Sequence, residues 1–244
     1  MVAPRLGGPE VLELKDVEEP RPGSDQVVIE VVRAGINFAD LLSISGRYPA
    51  APPPPFIPGL EVSGIEAESG RAVMALIRSG GFAEKVTAEK RFVFDAGGLD
   101  LALAGGWPLV TTTAYCGLAE MARLRSGETV LVTAAAGGLG STCVQVAKAL
   151  GAGRVVGMAS TAEKREFALR QGADDALGYE DPIPPVDVVL DGVGGTVFER
   201  VLSAVRPLGR IVLFGASSGQ VPQIPSFDAL RRRTLDGSLR TRSS

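Results

Sequence analysis

The segment Val130–Gly151, VLVTAAAGGLGSTCVQVAKALG, constrains the fold more than any other part of this chain. The apolar run Val130–Thr133 predicts a buried parallel strand. Gly137, Gly138 and Gly140 predict a tight turn, and Val144, Ala147, Lys148 and Gly151 mark an amphipathic helix and its end. Strand, glycine turn and helix in that order form the setting of a dinucleotide fingerprint, because the backbone must approach a pyrophosphate and a side chain there would block it. The first turn of the helix then offers unpaired N–H groups and a partial positive charge. Ala135 stands where the first glycine would be, so the motif, with Leu139 before its last glycine, departs from strict GxGxxG. Taken alone, the same glycines serve close helix–strand packing equally well.

The surroundings favour the dinucleotide. Further strands are predicted at Arg154–Met158, Asp175–Gly178, Val186–Leu190 and Arg210–Phe214, and helices at Thr111–Arg123, Ala162–Gln171 and Thr196–Val205. That alternation predicts a Rossmann-type α/β architecture with a doubly wound parallel sheet. Only Tyr179–Pro185 link the third and fourth strands of this set. Extended, they reach about 23 Å, whereas crossing two strands needs roughly 15 Å, so no helix is required. Residues 1–105 read differently. They are β-rich, with strands at Val27–Val32, Val62–Glu66 and Val73–Ile77 and a stiff loop at Pro52–Pro55. The composition shift at Gly97–Gly106 places a boundary there and predicts domains over residues 1–105 and 106–244. Beyond Gly219 the pattern fades: Ala229–Arg233 reads as the end of a helix, and the polar Thr234–Ser244 is expected to fray.

Composition removes whole classes of chemistry. The chain has no histidine and two cysteines, Cys116 and Cys143, outside any CxxC. A Ser-His-Asp triad, a histidine base and a zinc ligand set are therefore not expected, and the chemistry must come from a cofactor. A hydrophobic content of 45% with 22% charged residues predicts a packed globular protein. The net charge of -3 argues against nucleic acid or an anionic membrane as partner. No apolar run is long enough to span a bilayer, and MVAPRLGGPEVLELKD lacks the layout of a signal peptide, so a cytoplasmic location is expected. The tip of the second strand, Met158-Ala159-Ser160-Thr161, carries no acid to bond the ribose hydroxyls of NAD, and Lys164 and Arg165 follow. A hydroxyl and a lysine would hold a 2′-phosphate, which favours NADP. The competing reading of Lys164 and Arg165 is a solvated helix start.

Taken together, GINFAD (35–40), GRYP (46–49), PFIPGLEVSG (55–64), GGFAEKV (80–86), the AAAGGLG loop, STAEK (160–164), DGVGG (191–195) and FGASSG (214–219) resemble the zinc-independent quinone oxidoreductases, the zeta-crystallin type of the medium-chain dehydrogenase/reductase superfamily. The resemblance implies a GroES-like first domain, a Rossmann second domain, NADPH as cofactor, no metal, and hydride transfer to a quinone or another α,β-unsaturated carbonyl. By position it assigns Asn37, Asp40 and Tyr48 to the nicotinamide and substrate side and Thr113 to the nicotinamide amide. Gly137, Gly138, Leu139 and Gly140 would bound the pyrophosphate. Ser160, Lys164 and Tyr179 would surround the 2′-phosphate and adenosine, and Phe214, Gly215 and Ser217 the nicotinamide ribose. Asp40 also reads as a structural carboxylate fixing its loop, and Tyr48 as a packed aromatic.

Members of that family continue for several tens of residues beyond the fifth Rossmann strand, through a sixth strand and a dimer-forming segment. The ending TLDGSLRTRSS is not expected to supply these, which would leave the fifth-strand edge unpaired and the usual homodimer in doubt. Three functions compete: a quinone reductase, an enoyl or alkenal reductase, and an NADPH-binding protein without turnover. RNA binding, which the resemblance permits, would rest on Arg231, Arg232, Arg233, Arg240 and Arg242, and a solvated tail explains that cluster more simply.

Overall fold

In the computed structural model, which describes residues 1–222 and the backbone of 235–238, the chain divides into two units, Met1–Leu109 and Val110–Ser244. The first unit holds β1 (Gln26–Ala34), α1 (Phe38–Ile44), β2 (Glu61–Glu66), β3 (Ala72–Leu76), β4 (Lys85–Glu89), β5 (Val93–Asp95) and the short α2 (Leu101–Ala104). Its strands form one antiparallel sheet in the order β4-β1-β2-β3-β5. The two-residue period sends Val27, Ile29, Val62, Val73, Ala75, Val86 and Ala88 to a common buried face. The register between β1 and β2 slips between Val31 and Arg33, and this bulge bends β1 before the chain enters the turn to α1. Strands β4 and β5 escaped the sequence reading because KVTAE and VFD are short and half polar.

Helix α3 (Pro108–Tyr115) leads into the second unit and runs on as a π-helical turn, Cys116–Met121. Then follow β6 (Thr129–Val132), α4 (Gly138–Ala149), β7 (Arg154–Met158), α5 (Ala162–Arg170), β8 (Asp175–Leu177), β9 (Val186–Asp191), α6 (Gly195–Ala204) and β10 (Val205–Leu213). These strands make a parallel sheet in the order β10-β9-β6-β7-β8. The chain therefore winds outward from β6 to β8, returns across β7 and β6 through 179–185 without a helix, and winds outward again from β9. The direction reverses between β6 and β9, the switch point at which α/β sheets bind ligands. One face buries Val130, Val132 and Val188 under Cys143, Val144 and Ala147 of α4, and the other buries Leu131, Val156 and Val189 under Phe198 and Val201 of α6. Strand β10 pairs at Val205, breaks its register over the next four residues and resumes at Arg210, where the sequence pattern places its start.

One expectation is overturned. A sixth strand, β11 (Leu235–Ser238), lies parallel to β10 with Arg210 opposite Leu235 and Leu213 opposite Ser238. The LDGS stretch carries no hydrophobic alternation and so reads as frayed, but an edge strand needs only backbone N–H and C=O groups to join a ladder. The edge of β10 is thus paired. The helix end expected at Ala229–Arg233 and the arginines at 231–233, 240 and 242 lie outside the described residues.

Candidate functional site

In the second unit Thr113 lies on α3, and the other predicted cofactor residues follow the C-terminal ends of β6, β7, β8 and β10. The chain leaves β6 through Ala134, held at φ 49°, and enters α4 with Gly137 as N-cap. Gly137 has no side chain to cap the helix, and among the described residues the N–H groups of Gly138, Leu139 and Gly140 have no acceptor. Three donors therefore converge at the positive end of the helix dipole. The glycines are not equivalent. A Cβ at Gly140 would lie 2.2 Å from the carbonyl oxygen of Ala134, so that glycine is needed for helix–strand packing. A Cβ at Gly137 would meet the same oxygen at 3.3 Å. At Gly138 it would meet only Val110 Cγ1, at 3.9 Å. The protein itself gives no reason for a glycine there, which is the space a pyrophosphate requires. Thr113 lies three residues beyond Val110 on α3 and shares its side of the helix.

A buried polar network fixes the neighbouring turn. Thr133 Oγ1 donates to Asp191 Oδ1 at 2.6 Å and accepts from the N–H of Gly192 at 3.0 Å. The Asp191 carboxylate also accepts from the N–H groups of Val193 and Gly194, at 3.1 and 3.0 Å. Both side chains are wholly buried. They lock the end of β6 to the end of β9 across the switch point. Phe214 follows β10, donates its N–H to the Asp191 carbonyl, and lays its ring where a side chain at Gly192 would stand, 2.3 Å from a Cβ there. Gly215 and Ser217 continue against the same turn, with the Ser217 N–H on the Gly192 carbonyl at 3.0 Å. Tyr179 is half-buried and packs against the core on the α6 face of the sheet. Burial pushes its hydroxyl pKa up, against the opposing pull of the Ala134 N–H that faces it. Thr133 and Asp191 were missed as network residues. The DGVGG motif marked the place but not the role, since a buried aspartate is recognised by its partners and not by its neighbours in sequence.

At the tip of β7, Ser160 and Lys164 are both exposed, and Lys164 forms no ion pair among the described residues. Thr161 caps α5, its Oγ1 accepting from the Lys164 N–H at 3.3 Å. The Arg165 guanidinium leans back toward Gly178. Open glycine, free helix N–H donors and a tip with a hydroxyl and an ammonium but no carboxylate all fit an NADP dinucleotide.

In the first unit, Asn37 and Asp40 form a reciprocal cap on α1. The Asn37 side chain accepts from the Asp40 N–H, and Asp40 Oδ2 accepts from the Asn37 N–H at 2.7 Å. Asp40 Oδ1 accepts from the N–H of Gly59 at 3.2 Å. Gly59 holds φ at +102°, and a Cβ there would strike the backbone of Gly81 and Phe82 at 2.7 Å, so the loop requires glycine. With 1% of its surface exposed and both oxygens on backbone donors, Asp40 makes the bonds of a structural carboxylate. A third residue, Glu61 on β2, was not anticipated. Its Oε1 accepts from Asn37 Nδ2 at 2.7 Å and its Oε2 from the N–H of Leu109 at 2.8 Å. Burial pushes the pKa values of Asp40 and Glu61 up, and the charge of Asp40 raises that of Glu61 further, against the hydrogen bonds that favour the carboxylates. Tyr48 sits half-buried on the turn after α1, its N–H on the Leu42 carbonyl and its hydroxyl without a partner among the described residues. Among the described residues no group of three or more His, Cys, Asp or Glu side chains is placed to hold a metal, and no helix is long and apolar enough to cross a membrane.

Known proteins carry the same two-part pattern. Residues 23–97 match the family described as alcohol dehydrogenase GroES-like domain, and residues 138–244 the one described as zinc-binding dehydrogenase. The sequence is 35% identical over 243 residues to the quinone oxidoreductase-like protein 2 homolog of Nematostella vectensis, covering 91% of this chain and 66% of that protein. It is 31% identical over 255 residues to the quinone oxidoreductase of Lama guanicoe, covering 95% of this chain and 77% of the relative. The crystal structure of quinone oxidoreductase from Thermus thermophilus, solved also in complex with NADPH, matches with a TM-score of 0.88 at 38% identity, over 99% of this chain and 80% of that one. The chain thus spans about two thirds of the length of the Nematostella relative.

Proposed function

The chain belongs to the quinone oxidoreductase, zeta-crystallin-like family of the medium-chain dehydrogenase/reductase superfamily, and from that premise we propose that it reduces a quinone or another α,β-unsaturated carbonyl with NADPH. The observation that carries the reading is the open backbone at Gly138, with three free N–H donors at the switch point and no protein atom to account for the missing side chain. Those donors would take the pyrophosphate, and Ser160 and Lys164 the 2′-phosphate. When bound, NADPH supplies the hydride. Phe214, Gly215 and Ser217 would border the nicotinamide ribose, and Thr113 the amide.

The residues of the first unit would then act on the acceptor. Hydride arrival turns a carbonyl oxygen into an oxyanion, which accepts hydrogen bonds and takes one proton. Asn37 and Tyr48 carry the free donors suited to that oxygen; Asp40 shapes the loop that presents them. A sequence with no histidine and two separated cysteines supports chemistry without zinc, whatever the name of the matched family. Orientation would supply most of the acceleration, since a quinone is electron-poor and needs little activation.

The test follows NADPH absorbance with and without a simple benzoquinone, with NADH in parallel. Quinone-dependent loss of NADPH, faster than of NADH, is expected. NADPH binding without consumption would overturn the reductase and leave a binding protein. A panel of enones and quinones separates the acceptor classes.

A further inference from the structure

We propose that Glu61 is a positioning residue that fixes the orientation of the Asn37 carboxamide, so that a free N–H, and not the amide oxygen, is offered to the acceptor's carbonyl oxygen. The inference rests on the reductase reading for the identity of the acceptor, but its geometric half stands on the first unit alone.

The argument is one of hydrogen-bond polarity. A carboxamide has an accepting end and a donating end, and rotation by half a turn exchanges them. One neighbour settles the polarity. The Glu61 carboxylate, an acceptor, requires the nitrogen at 2.7 Å, which turns the amide oxygen toward the N–H of Asp40, a donor that also bonds the Asn37 main-chain carbonyl at 3.0 Å. One proton of Nδ2 goes to Glu61. The other has no partner among the described residues, and the side chain is half-exposed. An oxyanion forming at that position would meet a donor, whereas a flipped amide would present it with a lone pair.

The surroundings are built to keep Glu61 in place. Gly35 lacks the Cβ that would stand 2.3 Å from Glu61 Oε1. The N–H of Leu109, in the first turn of α3, holds Oε2 at 2.8 Å. Both carboxylate oxygens thus face donors, so replacement by an amide necessarily puts a donor against a donor. Asp40, the other carboxylate facing this cluster, is held by the N–H groups of Asn37 and Gly59.

Three variants test this: Glu61→Gln, Asn37→Asp and the two combined. In the double variant the polarity is exchanged. The introduced glutamine donates to the introduced aspartate and accepts from Leu109, while the aspartate still caps Asp40, so every bond of the cluster is restored but the free N–H is gone. The readouts are the urea midpoint, NADPH affinity by nicotinamide fluorescence, kcat and KM with benzoquinone, and the side-chain amide signals of Asn37 in a ¹⁵N–¹H spectrum, assigned by their loss in Asn37→Asp. We expect Glu61→Gln to move those signals and lower kcat about 100-fold, the loss seen when one oxyanion donor is removed, with NADPH affinity unchanged. The double variant should regain the wild-type urea midpoint without regaining kcat. Unmoved amide signals, or a double variant that recovers kcat together with stability, would overturn the proposal. If the wild type consumes no NADPH with any quinone, the reductase reading fails and takes the catalytic half with it, while the amide signals still decide whether Glu61 orients Asn37.

Discussion

Substituting alanine at Gly138 and at Gly140 separates cofactor recognition from packing within a single turn. At Gly140 the new Cβ would lie 2.2 Å from the Ala134 carbonyl oxygen, 2.8 Å from its carbon and 3.0 Å from Ala135 Cα. All three are backbone atoms, and Ala135 is tied by its N–H to the Met158 carbonyl of β7 at 3.0 Å. Relief needs a shift of about 1 Å of α4 against β6, and overpacking of that kind costs typically 1–3 kcal/mol, here about 3 because nothing flexible can give. At Gly138 the nearest atom is Val110 Cγ1 at 3.9 Å, an ordinary contact. The methyl group costs nothing, and the gain in helix propensity is up to about 1 kcal/mol. That methyl would, however, occupy the space reserved for pyrophosphate and cover the donors behind it. A tenfold or greater weakening of NADPH binding is expected, about 1.4 kcal/mol. Urea unfolding followed by far-UV circular dichroism measures the first quantity and nicotinamide fluorescence the second. Gly138→Ala should be at least as stable as wild type and bind poorly; Gly140→Ala should be unstable. Wild-type affinity in Gly138→Ala would refute the assignment of that space to the cofactor.

Three further outcomes follow from other parts of the second unit. Lys164→Glu places a carboxylate where a 2′-phosphate would sit, so NADPH affinity should fall at least tenfold while that for NADH is kept, and the effect should shrink as salt is added; equal losses for both cofactors would contradict the role. Glu128 accepts from both Nη groups of Arg210, at 2.7 and 2.6 Å, and this guanidinium holds its carboxyl below the usual 4.5. A pKa lowered by folding contributes stability that is present above 4.5 and lost as pH falls through the folded value. Glu128→Gln should therefore cost about 2 kcal/mol at neutral pH, with the gap to wild type closing on acidification below 4.5. A gap independent of pH would show that the charge is not what matters. Cys143 is wholly buried, and burial pushes its thiol up to about 12, whereas Cys116 is half-buried. Native protein should release one equivalent of thionitrobenzoate from a disulfide reagent and denatured protein two; two in the native state would mean that α4 opens readily.

How much of this was legible in the sequence depends on where each signal resides. Parallel strands buried on both faces announce themselves as apolar runs, so Arg154–Met158 was placed to the residue and the rest of the sheet within a few positions. Edge strands give no such run. β11 pairs with β10 in a parallel ladder, and its LDGS sequence could not distinguish a ladder partner from a frayed end. The glycine motif was legible as a motif, but its division of labour was not. Gly138 and Gly140 are identical letters, and only the distance to Ala134 reveals that one clears space for the protein and the other does not. The same limit explains the missed carboxylates. Glu61 looks like any other polar residue of the strand EVSGIE, yet it has 1% of its surface exposed because Asn37, 24 positions earlier, and Leu109, 48 later, supply its donors. A buried charge is tolerated only where such donors converge, so its partners are a property of the fold. The functional residues hardest to read are therefore those whose meaning is a polarity, which end of an amide faces out or which oxygen a donor finds. They are also the residues whose conservative replacements, Glu61→Gln foremost, are the least conservative in effect.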